Sequence, residues 1–240
     1  MELGSIIQKP ILGNRYVIPD IHGLIKTFRA LLEKIRFSMG DQLFLLGDYI
    51  DRGPDSGAVL DLIMDLQKKH FQVYPIKGNH EEMLLETILD EKRFLIHHLK
   101  INDSLNMLED DEIPHRYIQF LKSLPLFYET PDFIFVHGGI NMNDIVPLLN
   151  ADNLLYSRKT IVNNAWLGNR RVVHGHDPKS LPEIQQCVEN KSFVIPLDNG
   201  AVYAFRRHRK YPFGEMGNLC ALNLDSFQLI LQYNIDATGN

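Results

Sequence analysis

Short apolar runs alternate with helix-periodic segments over the first two-thirds of the chain, and each run breaks off at a polar side chain. Tyr16-Val17-Ile18 leads to Asp20 and His22, Leu43 to Leu46 leads to Asp48 and Asp51, and Val73 to Ile76 leads to Asn79 and His80. Phe133 to Val136 leads to His137, and Val172-Val173 leads to His174 and His176. Between the runs, Leu24, Phe28, Leu31, Leu32 and Ile35 recur at helical spacing. Val59, Leu60, Ile63 and Leu66 share one face of a helix that Ser56 can cap, and Glu81 to Leu89 also reads as helical. Strand–helix–strand order requires parallel strands joined by right-handed crossovers. Ligands in such sheets gather at the carboxyl ends of the strands. The pattern therefore predicts Asp, His and Asn from distant parts of the chain on one sheet edge.

Glu91 to Tyr128 reads as mostly helical and is expected to cover one end of the sheet. From Ser192 onward, Phe193-Val194-Ile195, Ala201-Val202-Tyr203, Leu219 to Leu224 and Phe227 to Leu231 read as an antiparallel set. With 240 residues and 45% hydrophobic composition, the chain can bury a core without covalent staples. The expectation is one α/β domain spanning 1–240, with two packed sheets and helices outside. Two cysteines make no disulfide framework. A net charge of −5 argues against a duplex nucleic-acid partner. No run approaches the ~20 apolar residues of a membrane helix, and Met1 to Gly13 lacks the apolar core of a signal peptide. A cytoplasmic protein without membrane or nucleic-acid partners is expected.

One Asp-x-His or Gly-Asn-His is usually a capped turn; five such groups in register with five strands point to a shared metal site. Glycines at 23, 47, 53, 78, 138, 139 and 175 flank them and permit close backbone approach. Carboxylates mixed with imidazoles suit Mn, Fe or Zn. Six good donors exceed the needs of one catalytic ion and fit two ions about 4 Å apart, bridged by one carboxylate.

Asp20-Ile21-His22-Gly23, Gly47-Asp48-Tyr49-Ile50-Asp51-Arg52-Gly53, Gly78-Asn79-His80-Glu81, His137-Gly138-Gly139 and Gly175-His176 resemble, in order and spacing, the metal-dependent phosphoprotein phosphatases. These belong to the calcineurin-like metallophosphoesterase superfamily, and the small bacterial and phage members are the nearest in pattern. The resemblance runs from Tyr16 to Tyr203 and implies a four-layer αββα sandwich of two mixed sheets. It implies that Asp20, His22 and Asp48 hold one ion. Asp48 bridges to a second held by Asn79, His137 and His176. The two divalent ions would be manganese ahead of iron or zinc. By the same resemblance His80 is the general acid, oriented by Asp51, while Arg52 and Arg158 grip phosphate. The pattern favours His176 over His174 as the ligand. Pro19 stands where glycine is usual, and Asp177 and Asn199 stand where threonines are usual. The 97–110 segment lacks the double glycine of many bacterial cousins and is expected to border the substrate groove.

The implied activity is hydrolysis of phosphate monoesters by a metal-bridging hydroxide, with phosphoserine or phosphothreonine in proteins as the first expected substrate. The alternative is symmetrical cleavage of dinucleoside polyphosphates such as diadenosine tetraphosphate. Glu81, rather than aspartate, after His80 tips this expectation toward the phosphatases. A non-catalytic binding module would have lost a ligand or His80, and all are present. The run Arg206-Arg207-His208-Arg209-Lys210 reads as a solvated hairpin loop ahead of a docking patch. Glu109 to Glu112 reads as an exposed lead-in to a helix after Pro114, with His70, His97, His98 and His115 on surfaces. Trp166 is expected in the core.

Overall fold

The computed structural model describes residues 4–89, 92–204, 212 and 214–236. Period-two alternation sorts its strands onto two faces. In β2 (Arg15–Ile18), Tyr16 and Ile18 pack outward under helices while Val17 points to the opposite sheet. Leu43 and Leu45 of β3 (Gln42–Leu45) do the same around Phe44. From the facing sheet, Phe133 and Phe135 of β6 (Phe133–Val136) meet them. The Phe44 and Phe135 rings stack with centroids 4.1 Å apart.

The first sheet runs β10-β9-β2-β3-β4, with β4 Gln72–Pro75, β9 Asn218–Asn223 and β10 Leu229–Tyr233. β2, β3 and β4 are parallel, and β9 and β10 are antiparallel additions. The second runs β1-β5-β6-β7-β8, with β1 Gly4–Ile6, β5 Phe127–Glu129, β7 Arg171–His174 and β8 Val194–Pro196. There the β5–β6 pair is antiparallel and the others are parallel. Helices α1 (Ile25–Lys34), α2 (Ser56–Lys68), α3 (Asn79–Ile88), α4 (Lys92–Ile101) and α5 (His115–Ser123) cover the outside of the first sheet. α6 (Ala151–Tyr156) and α7 (Asn164–Leu167) cover the second, and α8 (Leu181–Glu189) packs beside β8. This is the expected α/β architecture of two mixed sheets between helices. No helix among the described residues is long and apolar enough to cross a membrane.

Several local expectations are corrected. Asp55, not Ser56, caps α2, its carboxylate accepting from Ala58 N at 2.9 Å. The Ser56 hydroxyl instead accepts from Asp51 N at 3.0 Å. Val194–Pro196 joins the second sheet parallel to β7, because α8 supplies a crossover. Ala201–Tyr203 is a 3-10 turn launched from Gly200 at φ 59°, a left-handed start that ends extended backbone. β5 closes the segment expected to be helical, and β1 was not anticipated. Trp166 is only half-buried, its ring under Arg170. The run Arg206 to Lys210 lies outside the described residues.

At the amino ends of the strands, Arg15 is 1% exposed and bridges the sheets. Its Nη1 and Nη2 donate to Asp132 at 2.7 Å each, and Nη2 also donates to Asp225 at 2.9 Å. Asp132 leads into β6 and Asp225 follows β9.

Candidate metal centre

Past the end of β3 the chain turns back at once, with Asp48 at φ 52°. A non-glycine residue holds that conformation only if its surroundings enforce it. Glu81, wholly buried in the first turn of α3, supplies the enforcement. One carboxylate oxygen accepts from Asp48 N (2.9 Å) and Gly78 N (2.8 Å), and the other from Tyr49 N (2.8 Å). The Tyr49 hydroxyl donates to Ile76 O at 2.6 Å, tying the ends of β3 and β4. A Cβ on Gly78 would overlap the Asp48 carboxylate, and one on Gly175 would overlap that of Asp20. Those two glycines let the backbone close in on the acids.

Around Asp48 the histidines are oriented by backbone carbonyls. His22 Nδ1 lies 2.8 Å from Ile50 O, and His137 Nδ1 lies 2.7 Å from Leu46 O. Donation from Nδ1 leaves each Nε2 lone pair facing the centre, as metal-binding imidazoles require. His137 Nε2 stands 3.3 Å from Asp48 Oδ1 and 2.9 Å from Asn79 Oδ1. His22 Nε2 stands 3.6 Å from Asp48 Oδ2. Two triplets result, His22–Asp48–His80 and Asp48–His137–His176, each with donor atoms within 4.8 Å of one another. Asp48 belongs to both. Asp20 is buried alongside but outside the triplets, its two oxygens accepting from His176 N at 3.0 and 3.1 Å. His174 ends β7, with Nδ1 3.0 Å from Gly175 O.

His80 Nδ1 lies 2.5 Å from Asp51 Oδ2. Arg52 Nη1 and Nη2 reach His22 Nε2 (2.9 Å) and His80 Nε2 (2.8 Å). A cavity of about 90 Å³ is lined by Asp48, Arg52, Asn79, Arg158, His176 and Tyr203, with Pro178. Arg158, distant in sequence from Arg52, thus arrives at the same opening. Asn199 does not face it. Its Nδ2 donates to Lys179 O (3.0 Å) and Glu215 O (2.9 Å), stapling loops.

The electrostatics divide sharply. Burial depresses the pKa of His22, His137 and His176, the last to about 4. Burial also works against charge on Asp48, but His137, His80 and His22 hold its carboxyl well below the usual range. Burial, then Asp198 and Asp48, pushes Asp20 far up; burial also lifts Asp198 to about 6. For His80, burial works to lower the pKa, yet Asp48 and the Asp51 hydrogen bond outweigh it and the net shift is upward. Neutral imidazoles beside buried carboxylates short of positive charge suit a divalent cation.

Sequence reasoning missed Glu81 as a brace, Asp198, and Ser104, whose hydroxyl donates to Asp51 Oδ1. Asp198 ends the run Val194 to Leu197, so the strand-end rule itself could have found it. His98, expected on a surface, has Nε2 buried without a hydrogen-bond partner.

Residues 14–223 match the family model described as calcineurin-like phosphoesterase. A symmetrical bis(5'-nucleosyl)-tetraphosphatase of Wigglesworthia glossinidia brevipalpis is 33% identical over 140 residues, covering 55% of this chain and 48% of that protein. The chain thus spans about half the length of that relative. An asymmetrical bis(5'-nucleosyl)-tetraphosphatase of Oceanobacillus iheyensis is 29% identical over 216 residues, covering 78% and 84%. A solved structure assigned provisionally as a diadenosine tetraphosphatase superposes with TM-score 0.68 at 22% identity, covering 95% of this chain and 97% of that one, which speaks to the fold. With the family model covering most of the chain and every strand end that carries a candidate donor, the chain belongs to the calcineurin-like phosphoesterases.

Proposed function

We propose that the protein is a two-metal phosphohydrolase whose substrates are dinucleoside polyphosphates such as diadenosine tetraphosphate. The observation that carries the hydrolase reading is the pair of donor triplets sharing Asp48. Asp20, buried beside the first triplet, would join His22 and Asp48 in holding one ion and leave His80 as the acid, while Asp48, Asn79, His137 and His176 would hold the other, with manganese ahead of iron or zinc. Bound ions supply Lewis acidity and lower the pKa of water toward ~7. Arg52 and Arg158 grip phosphoryl oxygens at the cavity, where a planar guanidinium matches the anion. Asp51 fixes the His80 tautomer; His80 Nε2, which faces Arg52 Nη2 in this structure, is freed when Arg52 turns to the phosphate, and then carries the proton handed to the departing oxygen.

The substrate reading rests on relatives named as bis(5'-nucleosyl)-tetraphosphatases. The case for phosphoserine or phosphothreonine leaned on Glu81, whose carboxylate braces buried backbone and does not line the cavity. Glu81 therefore makes no direct contact with a substrate at the cavity. The test compares diadenosine tetraphosphate, a phosphoserine peptide and p-nitrophenyl phosphate on one manganese-loaded preparation. Faster turnover of the dinucleotide is expected; its products, two ADP or ATP plus AMP, report symmetrical or asymmetrical cleavage. Preference for the phosphopeptide would reverse the substrate reading. Absence of turnover on all three, with Asp48→Asn indistinguishable from the parent, would sink the hydrolase reading.

A further inference from the structure

The turn that carries the general acid's partner is held from outside by the connection between α4 and α5. Asp51 and Arg52 are consecutive non-glycine residues in the left-handed region, at φ 72° and 66°. Such a pair persists only where neighbours over-determine it. Residues 102–106 do so at several points. Arg52 N donates to Asn102 O at 2.7 Å, and Ser56 N donates to Asn106 Oδ1 at 2.9 Å. Asp51 N in turn donates to the Ser56 hydroxyl at 3.0 Å. Ser104 turns inward with no solvent exposure, between exposed Asp103 and Leu105. Its hydroxyl donates to Asp51 Oδ1, on the far side of the carboxylate from His80.

We propose that Ser104 is a positioning residue: it holds the Asp51 carboxylate in the plane that orients His80 toward the leaving oxygen. This rests on the reading of His80 as the general acid. The physical reason is that a carboxylate with one oxygen unpaired can rotate about its Cβ–Cγ bond. Two opposed partners, Ser104 on Oδ1 and His80 on Oδ2, stop that rotation. Ser104 lies outside the cavity lining and the donor triplets; its hydroxyl is also 3.3 Å from Asn102 O, but Asp51 is the closer partner and the one that touches His80.

The test uses the full chain and the variants Ser104→Ala and Ser104→Cys; the second fills the same space with a weak donor, separating the hydrogen bond from a packing defect. The first readout is the downfield proton resonance of His80 Nδ1–H, assigned by its loss in His80→Gln and recorded without substrate. It is expected to move upfield and exchange faster in both variants; an unchanged resonance overturns the proposal whatever the enzyme hydrolyses. The second readout is kcat on aryl phosphates of graded leaving ability. Weaker acid catalysis should cost about tenfold on phenyl phosphate and much less on p-nitrophenyl phosphate, a fraction of the ~10²–10⁴ that general acids contribute. Equal losses on the two esters would overturn the positioning role even if the resonance moves. Ser104→Thr, which keeps the hydroxyl, should restore both readouts.

Discussion

Replacing Glu81 by alanine tests whether the Asp48 turn is held by that side chain. The carboxylate accepts from Asp48 N, Tyr49 N and Gly78 N, all buried. Each buried N–H left unpaired costs about 1–3 kcal/mol, so the three together approach ~3–9 kcal/mol. Two effects reduce this. Water can enter the vacated space and satisfy part of the loss. Burial, followed by Asp48, also pushes the Glu81 carboxyl up to about 7, so removing it relieves a repulsion. We expect a net loss of about 2–4 kcal/mol, a large part of the ~5–15 kcal/mol typical of a folded domain. Urea denaturation of metal-free protein measures it directly. Manganese affinity should fall too, because Asp48 at φ 52° loses what enforces its conformation. Glu81→Gln should lie between, since its amide NH2 must face an N–H donor. An unchanged urea midpoint together with unchanged manganese affinity in Glu81→Ala would refute the reasoning.

Asp48→Asn removes the acid shared by both triplets and should cut kcat at least ~10³-fold, since metal-supplied charge stabilisation is worth several kcal/mol. Metal analysis should show lower occupancy, and full occupancy with full activity would contradict the shared role. Asp198 titrates near 6 in the metal-free protein and Asp20 lies above its ordinary value. Below those values the site holds protons that cations must displace, so apparent metal affinity should rise with pH through about 6 as Asp198 loses its proton, and Asp20, also raised, adds to the rise. His176, already lowered to about 4, releases almost nothing there. Calorimetry in two buffers of different ionisation enthalpy reads the proton release; Asp198→Asn should reduce it, and an unaltered count would rule Asp198 out. Arg15→Met should destabilise by about 1–3 kcal/mol, below the ~3–5 kcal/mol for a fully buried pair, because Asp132 and Asp225 are partly exposed and can rehydrate. Burial opposes their charge, yet Arg15 holds both carboxyls below their ordinary range. Their contribution is therefore present above the unfolded carboxylate range and lost as pH falls through the depressed values. A parent and variant with parallel acid-denaturation curves would contradict that assignment.

The parallel core was legible because its apolar alternation is strong. Val17, Phe44, Phe135 and Val173 each sit between residues of the opposite face, and each strand stops at a polar tip. What escaped was set by neighbours distant in sequence. Gly4–Ile6 becomes a strand only because β5 offers its edge, and three residues carry too little pattern to show it. Ala201–Tyr203 has the composition of a strand, but Gly200 in the left-handed region turns the chain instead. The candidate donors could be read from strand ends, whereas Ser104 and Glu81 could not. Their partners lie 53 residues away for Ser104 and about 32 for Glu81, and their role exists only after folding. Glu81 did leave a local trace as the third residue of a helix opening on Gly78, where acids commonly cap.

The sandwich is laced at both ends, and the two lacings differ in kind. At one end Arg15 fastens β2 to the entrance of β6 with a permanent seam of opposite charges. At the other, Asp20, Asp48 and Asn79 from one sheet face His137 and His176 from the other, and a cation between them would be a seam that can be unpicked. Chelation should therefore leave the molecule folded but looser at one lip, where His137 Nδ1–Leu46 O and His176 N–Asp20 remain as the crossing contacts. Amide exchange would quicken around 47–52 and 137–139 while the strands beside Arg15 stay slow.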